Sequence, residues 1–442
     1  MNRDDRARDA SAAILSAFTN CGVKHRNSIP ESVPNMTIGV GGSSTSSELA
    51  AIVNMRGDVQ AITPAERHAR IEKLQALMAE HGVDAVYLDA SSSLFYFTGL
   101  RCKASERLHG AVITARGELR YICPQFEVEK TAAMISLPGD ICGWEEHADP
   151  SALVIDLASP GKSGSGTLAV DETTPFFTFD GLRKAGNRFD FINASELTAA
   201  CRMIKSPAEL ALMQRAKDIT LEIHKAAARS LTVGIATDEV HEFIAAAHRK
   251  AGVDGPMSFS IVLFGEPTAY PHGVPYPQTL AQGDMVLIDI GATVEGYHSD
   301  ITRSYVFGEP SSRQRQVWDL ELAAQAAAFA AAQPGTPCED VDAAARAVIE
   351  AGGFGPGYAT PGLPHRTGHG IGLDVHEWAY LVKGNRTALA PGMCFSNEPM
   401  ICIYGEFGVR LEDHFYVTDD GPRWFTQPCH SVDDPFGYSR SD

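Results

Sequence analysis

Hydrophobic positions recur at helical and strand spacings along most of the chain, and they predict alternating helices and strands. The first clear helix starts at the sequence TPAE, residues 63–66, which combines a capping threonine with proline in the first turn. Apolar residues follow at helical spacing as far as Met78, and Gly82 ends the helix. Residues 83–88 are an apolar run that predicts a buried strand.

The alternation continues to about residue 200 and predicts an α/β domain. A second capping sequence, SPAE at residues 206–209, starts a long amphipathic helix and marks a domain boundary. We therefore expect an N-terminal arm at 1–60, an α/β domain at 61–203 and a second domain at 204–442. Within the arm, a periodic apolar piece lies near residues 10–18, and the run GVGGSSTSS at 39–47 predicts a flexible loop. The arm either wraps a partner subunit or is loose.

The second domain contains a short internal sequence repeat. The sequence GIATDEV at residues 234–240 resembles GTPCEDV at residues 335–341, and each opens an alanine-rich helix that ends near an Ala-Gly pair. This repetition suggests a duplicated α/β half-domain with a site between the two halves.

The first of two hairpin-like segments, residues 285–307, carries a pair of aspartates. Two β-rich runs flank a turn, and the midpoint between Asp289 and Asp300 falls at Val294/Glu295 in that turn. A hairpin centred there would set the two side chains opposite each other on one face, with Cβ atoms about 5 Å apart. Facing carboxylates repel each other and destabilise a sheet unless a cation lies between them.

Residues 395–418 repeat this geometry with glutamates. The midpoint of Glu398 and Glu412 is Gly405, inside a Gly-Glu-Phe-Gly turn. Solvated strand charges, or an ion pair between Glu412 and Arg410, would explain either carboxylate pair alone. Two such pairs in apolar surroundings favour a metal site.

Between the two hairpins lies His369, bracketed by Gly368 and Gly370, which we expect to let the backbone bend tightly. Four carboxylates and one imidazole can hold two divalent metal ions. This hard and borderline donor set suits manganese, iron, cobalt and zinc but not Cu(I).

Composition narrows the class of protein. The 442 residues carry a formal net charge of -18, which disfavours binding to nucleic acid or to anionic membranes. The nine cysteines are scattered and form no CxxC pair, as is typical of reduced cytosolic thiols. The charged N-terminus has no signal-peptide core, and no apolar stretch is long enough to span a bilayer. We therefore expect a cytoplasmic enzyme or binding protein.

These residues resemble the methionine aminopeptidase, prolidase and creatinase superfamily, whose fold is called pita-bread. The resemblance covers about residues 62–420 and implies a creatinase-type N-terminal α/β domain that often completes the partner's active site in a homodimer. It implies metal ligands at Asp289 in LIDIGA, Asp300 in SDITR, His369 in GHGIG, Glu398 in NEP and Glu412 in RLED. It also implies substrate-side histidines at His272 in YPHG and His376 in VHE.

Within the superfamily, the arm, Met400 after Glu-Pro and the stretch at residues 397–415 resemble dimethylsulfoniopropionate lyases of the DddP type. This resemblance implies metal-assisted β-elimination of a small zwitterionic substrate to dimethyl sulfide and acrylate. It implies two divalent transition-metal ions, with iron favoured and manganese, zinc and cobalt also suitable.

The lyase interpretation needs a base beside the metals and aromatic faces for the sulfonium. Asp374, five residues past His369, is the candidate base, and it could equally be a turn-capping residue. An aromatic group suits a sulfonium better than a salt bridge does. The candidates are Tyr270, Tyr358, Trp378 and Tyr404, with Phe95 or Tyr96 from a partner subunit.

Two alternatives stay open. The first is a metallohydrolase that acts on a Xaa-Pro peptide or on a cyclic amidine such as ectoine. The second is a binding protein on a decayed peptidase scaffold, which the ligand-type residues at all five metal positions disfavour.

Overall fold

The computed structural model describes residues 37–57, 59–117, 119–159 and 164–439. The apolar piece predicted near residues 10–18 lies outside them. The prediction of a flexible loop at 39–47 is wrong for its last residues, because helix α1, Thr45–Ala51, begins there with Ser44 as its cap. Residues on either side of α1 hydrogen-bond to later helices, as the Met55 amide does to the Ala251 carbonyl at 2.9 Å.

A six-stranded mixed sheet forms the centre of the N-terminal α/β domain, with strand order β4-β3-β2-β1-β5-β6. Strands β1, β5 and β6 run parallel, whereas β1, β2 and β3 form an antiparallel meander. The elements in chain order are α2 Pro64–His81, β1 Ala85–Leu88, α3 Ser92–Thr98, β2 Gly110–Thr114, β3 Leu119–Pro124, α4 Val128–Met134, β4 Asp140–Trp144, α5 Pro150–Leu157, β5 Gly166–Val170, α6 Phe176–Ala185, β6 Phe189–Asn193 and α7 Ser195–Arg202.

The C-terminal domain consists of two helical hairpins and curved antiparallel sheets. Its main sheets have the orders β11-β8-β7 and β13-β12-β14-β17-β18. The elements are α8 Pro207–Ser230, α9 Thr237–Ala251, β7 Phe259–Phe264, β8 Met285–Gly291, β9 Thr293–Val294, β10 Tyr297–His298, β11 Ile301–Val306, α10 Ser312–Ala331, α11 Cys338–Ala351, β12 Gly368–Gly370, β13 Glu377–Leu381, β14 Cys394–Asn397, β15 Met400–Ile403, β16 Phe407–Arg410, β17 Asp413–Thr418 and β18 Gly421–Trp424.

The predicted helix starts are present in the structure. The Thr63 side chain accepts the Glu66 amide at the start of α2. Ser206 and Glu209 form a complete capping box at the start of α8. The predicted boundary at 203/204 falls in the short link between α7 and α8, although the three-domain division itself stays a prediction.

The internal sequence repeat also corresponds to structure. The two similar sequences start α9 and α11, and each of these helices packs against the helix before it. Each half also supplies one main antiparallel sheet. The fold is therefore a creatinase-type domain followed by a pita-bread domain, as the resemblance implied.

One hydrophobic core cluster extends across both domains. It includes Leu74 and Met78 of α2, Val86 of β1, and Leu212 and Ile219 of α8. The two domains are therefore joined by a continuous apolar contact. None of the described helices is long and apolar enough to cross a membrane.

Candidate metal centre

The first carboxylate pair lies on the hairpin formed by β8 and β11. Asp289 is in β8, and Asp300 immediately precedes β11. The strands pair Asp289 with Thr302 and not with Asp300, so the predicted direct pairing is wrong by two positions. A shift of two positions keeps both side chains on one face, because strand side chains alternate. The two carboxyl groups are neighbours, since each influences the pKa of the other.

The turn of this hairpin explains the shift. Val294 pairs with Tyr297, so the turn residues are Glu295 and Gly296, one position later than predicted. Their φ angles are 51° and 83°, as in the two-residue turns that suit the right-handed twist of a hairpin. A β-branched residue such as Val294 avoids positive φ, which moves the turn onto Glu-Gly.

The second carboxylate pair has the predicted register. Met400 pairs with Arg410 across β15 and β16, and Asn397 pairs with Asp413 across β14 and β17. Both pairings are centred on Gly405, so they set Glu398 opposite Glu412 in the gap between them. The Glu412 amide donates to the Thr302 carbonyl at 3.1 Å, which joins this hairpin to the first one.

His369 lies in β12, between the two hairpins. The sequence suggested that the glycines beside it make a tight bend. This prediction is wrong, because Gly368–Gly370 is a strand inside a sheet. They permit close packing instead: a Cβ on Gly368 would lie 2.1 Å from the Ser396 carbonyl oxygen. The His369 Nδ1 lies 3.0 Å from the Gly370 carbonyl, and this contact assigns the proton to Nδ1 and leaves Nε2 free.

His369 Nε2 points at the carboxylates. It lies 3.0 Å from Glu398 Oε1 and 3.6 Å from Asp300 Oδ2. Donor atoms of His369, Glu398 and Glu412 lie within 4.8 Å of one another. The structure therefore brings Asp289, Asp300, His369, Glu398 and Glu412 into one buried cluster.

The pKa values of these carboxyl groups show that placing their charges together inside the protein is unfavourable. Burial, reinforced by neighbouring carboxylates, raises the pKa of Asp300 and of Glu412 well above the usual range. Burial also raises the pKa of Asp289, and Arg410 acts in the opposite direction. Burial alone would raise the pKa of Glu398 too, but His369 outweighs it and holds that pKa below its usual range.

Unpartnered oxygen atoms show that the residues fit a metal centre. Asp289 Oδ1, Asp300 Oδ1 and Glu412 Oε1 are buried and make no hydrogen bond within the described part of the chain. Buried carboxylate oxygens without a partner are costly, and a divalent cation satisfies them. The donor set of four carboxylates and an imidazole is chemically suited to such ions.

A second layer of side chains orients these oxygens. The Arg410 guanidinium donates to Asp289 Oδ2 at 2.5 Å. The Thr302 hydroxyl donates to Glu412 Oε2 at 2.7 Å. Each contact leaves the other oxygen of the same carboxylate free for a cation.

Sequence reasoning assigned no site role to three residues at this centre. Arg410 was considered only as an ion-pair partner of Glu412, and it contacts Asp289 instead. His365 is half-buried close to Glu398, and its Nε2 has no hydrogen-bond partner among the described residues. His414 is fully buried two residues after Glu412, and strand periodicity, which puts alternate residues on one face, could have identified it.

The two histidines that the resemblance implied as substrate-side residues, His272 and His376, lie near the cluster. The His376 ring is 4.2 Å from the His369 ring. Burial lowers the pKa of His376 to about 4, so this imidazole is neutral near pH 7. His272 lines a cavity of about 380 Å³ that is also bounded by Ile261, the neighbour of Asp289 on β7.

The candidate aromatic residues occupy separate places. The Tyr270 and Tyr404 rings are 5.1 Å apart, and the Trp378 ring packs on Tyr380 at 4.7 Å. Arg346 already lies over the Tyr358 ring at 4.0 Å.

Two further aromatic candidates, Phe95 and Tyr96, lie in the N-terminal domain. Tyr96 is buried, and its hydroxyl donates to the Cys201 carbonyl, so it is a core residue rather than a contribution to a partner. Arg101 stacks on Phe95 at 4.3 Å.

Asp374 is directed away from the metal cluster. Its carboxylate accepts the Ser92 hydroxyl at 2.5 Å and the Arg202 guanidinium at 2.7 Å. It lines a cavity of about 430 Å³ at the junction of the two domains. The contacts of Asp374 are therefore with Ser92 and Arg202 of the N-terminal domain, and its predicted catalytic role stays a prediction.

Arg202 also holds the loop that carries His376. Its guanidinium donates to Glu377, as the Lys205 ammonium does at 3.0 Å. The Glu377 carboxylate in turn accepts the Leu373 amide at 2.8 Å. The N-terminal domain and the linker thus fix a loop of the C-terminal domain through one buried carboxylate. Arg202 and Lys205 outweigh the burial of Glu377 and lower its pKa to about 2.

The chain belongs to metallopeptidase family M24, an enzyme family whose members bind divalent metals. Residues 211–419 match that family, and residues 70–204 match the creatinase/prolidase N-terminal domain.

Relatives of similar length carry dipeptidase names. The chain is 34% identical to a putative dipeptidase YkvY of Bacillus subtilis, over 81% of this chain and 97% of the relative. It is 35% identical to a probable dipeptidase PepE of Mycobacterium bovis, over 80% and 92%. The crystal structure of dipeptidase PepE from Mycobacterium ulcerans covers 84% of this chain with a TM-score of 0.78 and 31% identity, and the match includes 99% of that chain.

The expectation of a dimethylsulfoniopropionate lyase is wrong. The relatives are named dipeptidases and Xaa-Pro dipeptidases, and the metallohydrolase alternative fits them better. The structure agrees with this correction, because the aromatic candidates do not form one cage in the described contacts and Asp374 is paired with Arg202. Motifs around the metal ligands are shared by enzymes with different reactions, so they could not decide the chemistry.

Proposed function

We propose that this protein is a metal-dependent dipeptidase that hydrolyses the amide bond of dipeptides, including those with proline in second position. The observation that supports it most directly is the buried cluster of four carboxylates and an imidazole with unpartnered oxygens. The dipeptidase names of relatives that match most of the chain support the substrate class. A dipeptide is also a small zwitterion, the kind of substrate expected from the sequence.

In this proposal Asp289, Asp300, His369, Glu398 and Glu412 hold two divalent transition-metal ions. Iron, manganese, zinc and cobalt all suit these donors. When bound, such ions act as Lewis acids on the amide carbonyl and lower the pKa of water.

Glu398 is the carboxylate that we expect to accept a proton from the attacking water. Its side chain is 14% exposed, whereas those of Asp300 and Glu412 are 7% and 1% exposed. It is therefore the most accessible of these three to substrate. The neutral His376 imidazole can donate a hydrogen bond to the carbonyl oxygen of the substrate, and His272 borders the adjacent cavity.

The test is an assay of the purified full chain for free amino acids released from Gly-Pro, Ala-Ala and the tripeptide Gly-Gly-Pro. We expect both dipeptides to be cleaved faster than the tripeptide. A chelator should abolish the reaction, and added Mn²⁺ or Co²⁺ should restore it. Fully metal-loaded protein that cleaves neither dipeptide would contradict the proposal.

We also propose the homodimer that the sequence suggested, in which the N-terminal region of one chain completes the partner's site. Phe176 and Phe177, at the start of α6, are 79% and 56% exposed and offer an apolar surface on the N-terminal domain. Sedimentation of the full chain should give a dimer, and Phe176→Glu should shift it to monomer. A monomeric wild-type protein with full activity would contradict this arrangement.

A further inference from the structure

One buried side chain at the centre makes no hydrogen bond to any residue that the structure describes. This side chain is His414, which has 0% exposure and two unpartnered ring nitrogens. A buried polar group without a partner loses its hydration and gains nothing in return. An external ligand that binds this imidazole would account for its retention inside the protein.

The position of the ring identifies that ligand as a cation. His414 Nε2 lies 3.6 Å from Glu412 Oε1, which is too long for a hydrogen bond. Two donors that share one ion lie about 3.0–3.5 Å apart, because each is about 2.1 Å from the metal. The His369–Asp300 pair has the same 3.6 Å separation.

We propose that His414 is a further ligand of the metal centre, on the side formed by Asp300 and Glu412. One donor atom of each of these three residues lies within 4.8 Å of the other two. The unpartnered Asp300 Oδ1 and Glu412 Oε1 belong to the same two carboxylates. This inference rests on the proposed metal centre and gives it a second imidazole beside His369.

A second nitrogen donor alters the metal preference of the centre. Imidazole favours zinc, cobalt and nickel, whereas carboxylates alone also suit manganese and magnesium. His414 should therefore strengthen the binding of zinc and cobalt much more than the binding of manganese.

Proton NMR of the Co²⁺-loaded full chain tests direct ligation, because the N–H protons of cobalt-bound imidazoles are strongly shifted. His414→Phe should remove one strongly shifted exchangeable signal that the wild type shows. His248→Phe, which alters another buried histidine with an unpartnered nitrogen, should keep every shifted signal. An unchanged set of shifted signals in His414→Phe would overturn the proposal.

Metal affinity provides the second readout and separates a ligand from a merely orienting residue. Loss of a residue that only hydrogen-bonds to a metal ligand typically costs roughly 10–100-fold in metal affinity. We expect this decrease in affinity to be similar for different metals. Loss of a nitrogen ligand should weaken Zn²⁺ binding by at least that factor and Mn²⁺ binding clearly less. Equal losses for both metals would overturn the proposal, and His414→Gln repeats the test if the phenylalanine variant does not fold. Neither readout depends on turnover, so failure of the dipeptidase assay would leave this result interpretable.

Discussion

At the scale of single residues, the centre is a set of carboxylates that the protein alone cannot satisfy. Buried oxygens of Asp289, Asp300 and Glu412 accept no hydrogen bond from the residues that the structure describes, and burial raises the pKa of each of these three groups. Asp374 differs, because Ser92 and Arg202 satisfy its carboxylate. This contrast separates residues that need a cation from one that does not.

Asp300→Asn tests that contrast with little change in volume. The substitution removes a charge from the middle of the cluster, so the purified variant should lose bound metal and activity while it stays folded. Asp374→Asn is the matched control and should keep its metals. Elemental analysis and circular dichroism of both variants provide the measurement. An Asp300→Asn variant with the metal content of the wild type would remove this residue from the ligand set.

The same scale shows what sequence could predict. The spacing of residue types predicted the metal site. The pattern consists of two carboxylate pairs near turns and, between them in the chain, a histidine flanked by glycines. The roles of Arg410 and His365 were not visible. Arg410 lies two residues before Glu412 but contacts Asp289 on the other hairpin, and His365 lies in the loop before β12. The position of His414 could have been predicted, because it follows Glu412 by two residues and side chains two residues apart on a strand lie on the same face.

At the scale of elements, strand register and loop anchoring decide where the side chains point. The hairpin at Gly405 was predicted correctly from symmetry about its turn. The hairpin at Glu295-Gly296 was displaced by one residue, because turn conformation and not the midpoint of two carboxylates sets the register. The ion pairs of Glu377 join distant segments and leave no local signal in the sequence.

Arg202→Gln tests how far this anchoring matters for catalysis. Without the guanidinium, Glu377 should release the loop that carries His376, although no metal ligand is altered. We expect unchanged metal content and a fall in kcat/KM of roughly 10–100-fold, the usual effect of removing an outer partner. Kinetics with Gly-Pro and elemental analysis are the measurements.

Arg70→Gln is the matched control for this substitution. Arg70 pairs with Glu209 at 3.4 Å, is similarly buried and also joins the two domains, but it does not contact the His376 loop. It should lower stability without a comparable loss of kcat/KM. If both variants lose activity equally, the effect belongs to domain contact in general and not to the loop.

At the scale of the whole molecule, the second domain buries several histidines in neutral form. Burial lowers the pKa of His248 and of His298 to about 4, and it holds that of His224 well below the usual range. In the unfolded chain each of these groups takes up a proton near pH 6.5. Between pH 6.5 and about 4 the unfolded state therefore binds more protons, and stability must fall with pH in that window.

His248→Gln tests this linkage at a site remote from the metal ligands. Its Nδ1 lies 3.1 Å from the Ile244 carbonyl in α9, while Nε2 has no partner. A shift from 6.5 to about 4 corresponds to about 3 kcal/mol of stability that is present above pH 6.5 and lost as the pH approaches 4. Urea unfolding of the metal-free protein at a series of pH values, with chelator present throughout, should give a flatter pH dependence of the unfolding free energy for the variant.

The chelator is essential, because metal loss at low pH would otherwise add its own slope to that dependence. Glu377, whose pKa of about 2 lies below its ordinary value of 4.5, loses its contribution only below pH 4.5, so it does not contribute to the slope between pH 6.5 and pH 4.5. A variant with the same slope as the wild type between pH 6.5 and pH 4.5 would show that His248 is protonated in the folded protein.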